Sequence, residues 1–184
     1  MLGLNYMAWL GLLVWVGVPF FALLTGVLLW RRSRTPLWRG FAIISCIAIL
    51  LAPMLVSNRV KAHYDQQVRE MCAKDGGVRV YETVRLPAEE FDEFGDIRIP
   101  ANQNAKPKDE YLYESSTTYI RDRNPEIWKS HYRVHRQLGG KLLGESVSYS
   151  RRGGDMPGPW HESSFGCPRD ADITDLNRQI FVKN

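Results

Sequence analysis

The chain has 184 residues, 45% of them apolar, with 24 Lys and Arg against 20 Asp and Glu. That length holds one domain of ordinary size and a membrane anchor. The surplus charge does not describe a nucleic-acid surface. Arg31, Arg32, Arg34 and Arg39 are the only charged side chains before Arg59, and without these four the remaining 20 basic residues balance the 20 acidic ones.

Residues 1–58 read as a two-span anchor, with spans at about residues 7–30 and 40–57 and a basic loop at 31–39. A helix of about 20 apolar residues crosses a hydrocarbon core. Tyr6 and Trp30 stand at the ends of the first run, where amphipathic aromatics prefer to lie. The uncharged start and Leu28-Leu29-Trp30-Arg31 do not fit a cleaved signal peptide. Pro19 and Pro53 fall within the two runs, where each removes a helix hydrogen bond. Gly11, Gly17 and Gly26 are not spaced as G-x-x-x-G, so the pattern carries no packing motif. Neither span contains an ionisable group, which argues against an ion path through this chain alone.

Arg-rich short loops stay in the cytoplasm, which places both termini and the C-terminal domain on the other side. The competing signal is Arg59, Lys61, Arg69 and Lys74, which follow the second span closely. An outward-facing domain lets Cys72 and Cys167 form a disulfide; the alternative is two buried free thiols.

Residues 59–184 form the second region. Helical spacing of Val60, Tyr64, Val68, Met71 and Cys72 predicts that the second span continues as a stalk helix, stopped at Asp75-Gly76-Gly77. Alternation then predicts a strand over Val78–Leu86, followed by a helical turn after Pro87 and a short strand Ile97–Ile99. Residues 101–109 read as a polar loop and 110–121 as a strand. Residues 126–137 and 141–151 read as a hairpin turned at Leu138-Gly139-Gly140. Residues 152–168 read as loop, and the end of the chain as a helix after Asp170 or Asp172, or else a strand at 179–182. The expected fold class is α+β: a transmembrane helical hairpin, a stalk helix and a small domain with an antiparallel sheet.

Three groups of residues invite a functional reading. His131, Arg133 and His135 alternate along one strand, so with Lys129 they line a solvent face suited to an anion or acidic partner rather than a helical metal pair. Glu82 interrupts an apolar strand face. It is a candidate tuned acid, or a rim residue paired with Arg133 or Arg151. The segment from Arg151 to Phe165 mixes stiff and permissive residues. Arg151, Arg152, Asp155, Trp160 and His161 would make it a binding loop with Trp160 as its main contact; the other reading is a loop packed by Trp160 and Phe165. Ser163 or Ser164 beside His161 lacks a nucleophile turn. P-loop, dinucleotide-binding, EF-hand, H-E-x-x-H and C-x-x-C patterns are absent, so no metal or cofactor is expected.

The stretches Cys72–Val84, Leu142–Glu145 and Ser150–His161 resemble a group of uncharacterised proteobacterial membrane-anchored proteins of unknown function. The resemblance covers the second region only. It implies a bacterial envelope setting and carries no site. The expectation is thus a two-pass inner-membrane protein with both termini in the periplasm, whose periplasmic domain binds or assembles with another envelope protein. The alternatives are a membrane-anchored hydrolase or metal-dependent enzyme using Asp155, His161 and Glu162, and an accessory subunit of a transporter.

Overall fold

The computed structural model describes residue 11 and residues 13–32, 35–156 and 161–184. The chain divides into two compact units, Met1–His63 with Gly154–Ser163, and Tyr64–Gly153 with Ser164–Asn184. The fold is α+β, with long helices and an antiparallel sheet.

The first unit is built on two helices. A π-helical turn, Leu13–Gly17, leads into α1, Val18–Arg32; the second helix, α2, is Pro36–Asp75. Pro19 lies within the continuous helical run Leu13–Arg32, just after the π-helical turn, where its missing N–H removes one helix hydrogen bond. Pro53 lies inside α2. Leu13–Arg32 and Arg39–Asp75 are long and apolar enough to cross a membrane.

The two helices touch through small residues. Ala22 and Ala42 are 2% exposed, and the Cys46 thiol donates to the Ala22 carbonyl at 3.1 Å. A Cβ added to Gly26 would stand 2.7 Å from Cys46 Sγ. Ala22 and Gly26 are four apart on α1, and Ala42 and Cys46 four apart on α2. This is small-xxx-small packing, which lets two backbones approach. A search for paired glycines misses it because alanine and cysteine supply three of the four positions.

In the second unit α2 continues to Asp75, as its spacing predicts, and Gly77 takes φ 122° to turn the chain out of the helix. Seven strands follow: β1 Gly77–Val80, β2 Val84–Leu86, β3 Tyr111–Arg121, β4 Glu126–Arg136, β5 Leu142–Arg152, β6 Ser164–Cys167 and β7 Phe181–Lys183. The main sheet has the order β1-β5-β4-β3, with β6 on the same edge of β5 as β1. All its pairs are antiparallel. Gly139 and Gly140, at φ 84° and 63°, make the β4–β5 turn.

Three expectations need correction. Val78–Leu86 is not one strand: the N–H groups of Tyr81 and Glu82 both donate to the Leu143 carbonyl. The chain leaves β5 there, and Val84–Leu86 pairs instead with β7 in parallel. Ile97–Ile99 is irregular, its two isoleucines packed on the core by side chain alone. Ser164–Cys167 is a strand rather than loop. The two alternatives for the C-terminus both occur in succession: α3, Ile173–Ile180, then β7. Asp172 caps α3 by accepting from the Asp175 N–H at 2.8 Å in a capping box.

Each face of the main sheet carries a helix and a core. On one side α3 brings Leu176 and Ile180 onto Val134 and Leu143, with Phe181 edge-on to Tyr111. Gly144 permits this approach, since a Cβ there would lie 2.9 Å from Ile180 Cδ1. On the other side the end of α2 sets Val68 against Ile127, Val147 and Tyr149. The Cys72–Cys167 disulfide joins the last turns of α2 to the end of β6, with Cα atoms 6.1 Å apart.

Candidate functional site

Strand alternation places Ile127, Lys129, His131 and Arg133 of β4 on the face that α2 covers in part. Opposite them on β5 stand Arg151, Tyr149, Val147 and Glu145. The helix covers the apolar end of this face, and the rest is polar and open.

Glu145 is the hub of the open end. Its carboxylate accepts from the Tyr81 hydroxyl at 2.6 Å, lies 2.9 Å from His131 Nε2 and pairs with Arg79 at 3.3 Å. The Tyr81 hydroxyl, followed by His131 and Arg79, holds the Glu145 carboxyl below its ordinary range, against burial that pushes it up. The same contact raises the Tyr81 phenol. A second hub sits at the end of α2. Asp75 accepts from Lys129 at 2.6 Å and from the Tyr149 hydroxyl at 2.7 Å. Lys129, then Tyr149, lowers the Asp75 carboxyl, and Asp75 in turn raises Lys129. At the outer margin Arg133 pairs with Glu114 at 3.1 Å, and His135 Nε2 lies 3.9 Å from the same carboxylate.

His131, Arg133 and His135 therefore do share a face, with Lys129. The face is not a basic patch, because Asp75 pairs with Lys129, Glu114 with Arg133 and Glu145 with Arg79. Such an array fixes strands to helix and presents hydrogen-bonding groups; it has no net field for an anion. Each of the carboxyls Asp75, Glu82, Asp96, Glu145 and Asp155 has its proton affinity lowered. A general acid needs the reverse.

Glu82 lies at the rim, where the chain has left the sheet. It pairs with Arg136 at 3.4 Å and with Lys141, not with Arg133 or Arg151. Lys141 is the main reason that its carboxyl is lowered.

The residues of the 151–165 segment fall in different places. Arg151 is 2% exposed; its Nε donates to Asp65 at 2.6 Å and its Nη1 to the Gly153 carbonyl. It is an interior brace of the second unit, unable to reach a partner. Arg152 is exposed and pairs with Glu126 at 3.4 Å. In the first unit, Asp155 pairs with Lys61 at 3.0 Å and accepts from the Ser163 N–H, while Ser57 donates to the Gly154 carbonyl at 2.9 Å. Burial pushes the Asp155 carboxyl up, but the Ser163 N–H and Lys61 outweigh it and the net shift is downward. His161 is exposed. Trp160 lies outside the described residues.

Sequence reasoning missed a cavity of about 610 Å³ in the second unit. Leu86, Phe91, Ile97, Ile99 and Tyr111 give it apolar surface, and Glu89 and Glu90 stand among its acidic residues. The half-buried isoleucines of Ile97-Arg98-Ile99 were its only local signal. Among the described residues, no group of three or more His, Cys, Asp and Glu could hold a metal ion.

No protein-family model, curated protein or solved structure matches the chain.

Proposed function

We propose that this is a two-pass inner-membrane protein whose periplasmic domain binds or assembles with envelope proteins. The observation that carries the reading is the surface of α1 and the first half of α2. Phe20, Phe21, Leu23, Ile43, Ile44 and Leu50 are all exposed, although the helices already touch through Ala22, Gly26, Ala42 and Cys46. An apolar surface of this kind needs a solvent other than water, and lipid supplies it. The Arg31–Arg39 loop favours the cytoplasmic side for the turn between the helices. The disulfide fits an oxidising compartment for the domain. The open end of the sheet face around Glu145 and Tyr81 supplies hydrogen-bonding groups of both kinds, which suits a protein surface better than a small charged ligand.

Labelling of intact cells with a membrane-impermeant thiol reagent tests the reading. Cys72 and Cys167 should react only after reduction. Reaction without reduction, and only once the inner membrane is lysed, would reverse the orientation and remove the periplasmic assignment.

A further inference from the structure

The outer edge of β3 is the longest unpaired strand edge in the sheet. β3 ends the strand order, and among the described residues only Ala101 bridges to that edge, at Tyr113. The Tyr113 N–H points outward, donating to the Pro100 carbonyl at 3.0 Å. Residues two apart on a strand turn their backbone groups the same way, so Ser115, Thr117 and Tyr119 also point outward. Ser115–Ile120 (SSTTYI) are all exposed and contain no charge, glycine or proline. Proteins usually blunt such an edge with lysine, proline or a bulge. Here only a bulge between Tyr119 and Arg121 interrupts it, at the far end. The edges of β1 and β6 are four residues each.

We propose that this edge pairs antiparallel with the same edge of a second copy of the chain, centred on Thr117. The inference rests on the reading of the domain as an assembly module and names its partner. The edge itself selects the register. Outward-pointing residues must meet outward-pointing residues, so the two-fold centre falls on a residue rather than between two; a centre on Ser116 or Thr118 leaves only two outward pairs clear of Pro100 and the bulge, against three for Thr117. A centre on Ser115 needs the Tyr113 N–H that Pro100 already holds. A centre on Tyr119 puts the bulge inside the ladder. A centre on Thr117 leaves both at the flanks and sets Ser115 opposite Tyr119 of the other copy.

Charge complementarity supports the same register. Glu114 faces Arg133, and Arg121 faces Ile127, so both lie on the sheet face of His131. The bulge takes up one residue, which brings Arg121 of one copy opposite Glu114 of the other. Each end of the paired segment then carries one carboxylate and one guanidinium, and opposite charges across strands are favourable.

Cross-linking of the full chain in native membranes tests this, with Cys46→Ala as background and the Cys72–Cys167 bridge intact. Single cysteines are placed at each position from 115 to 119 and treated with a short bifunctional thiol reagent. A dimer band should peak at Thr117→Cys. It should be lost at Ser115→Cys and Tyr119→Cys alone and return when those two chains are mixed. Thr117→Pro should abolish dimerisation with the native disulfide retained, because that N–H makes no bond within the sheet. A flat profile, or no dimer at Thr117→Cys, overturns the proposal. An adduct of position 117 with a different protein overturns the second copy as partner and leaves the assembly reading standing. Failure of that reading would appear instead in the thiol-labelling orientation.

Discussion

The helical hairpin and the sheet domain solve opposite problems. Among the described residues, twenty-two large apolar side chains stand exposed between Leu13 and Val56, and six in all the rest. The hairpin thus keeps its backbones together with alanine, glycine and cysteine and leaves its bulk outside. The domain keeps bulk inside, ties its surface with charge pairs centred on Asp75 and Glu145, and braces its interior with the Arg151–Asp65 pair. The lesson is that specificity comes from contact shape in one unit and from directed polar bonds in the other. Each unit should therefore fail to a different kind of substitution.

The sharpest test of that contrast is the disulfide. Removing it with Cys72→Ala and Cys167→Ala frees a loop with a sequence separation of 95 and should cost the domain about 4.7 kcal/mol on the chain-entropy model. Trp128 fluorescence in urea, with the other five tryptophans replaced by Phe, should report the loss while the helical circular dichroism of the hairpin persists in detergent. Simultaneous loss of both signals would break the comparison. Next comes Arg151→Ala, which strands Asp65 and should cost about 3 kcal/mol in the same Trp128 titration. The hairpin should not register it.

The reverse experiment is Gly26→Ile. Overpacking against Cys46 should cost the hairpin about 2 kcal/mol. Its readout is faster reaction of Cys46 with a membrane-permeant maleimide, with the Trp128 midpoint unchanged. The smallest effect belongs to Asp75→Asn, at about 1 kcal/mol, because that side chain is 37% exposed and solvent screens it. Lys129 and Tyr149 hold the folded Asp75 carboxyl below its unfolded value. Its contribution is therefore full above roughly pH 4 and lost as pH falls through the folded value. Acid titration of the domain should be shallower in Asp75→Asn than in the parent.

Much of this architecture is legible in local sequence. Asp75-Gly76-Gly77 marks the helix stop, and Leu138-Gly139-Gly140 marks the hairpin, because both depend on backbone freedom over a few residues. What escaped depends on distant partners. Val84–Leu86 continues the alternation of Val78–Val80, yet its partner is Phe181–Lys183 at the far end of the chain. Ser164–Cys167 has a weak strand composition and is a strand because Tyr149–Arg152 offers it an edge. The candidate site divides in the same way. Alternation places Lys129, His131 and Arg133 on one face, but the carboxylates that contact them come from α2, β3 and β5. Arg151 reads in sequence as the end of a strand opening a candidate binding segment, and only the position of Asp65 makes it interior.

The bond between Cys72 and Cys167 also makes most of the domain a closed covalent ring. A protease that cuts the exposed 102–104 turn, or the tip at Leu138, opens the ring without dividing the molecule. Both fragments stay fastened at Cys72, in the last turns of the long helix, and neither is shed. Damage to the domain would accumulate in place and show as two pieces only on a reducing gel.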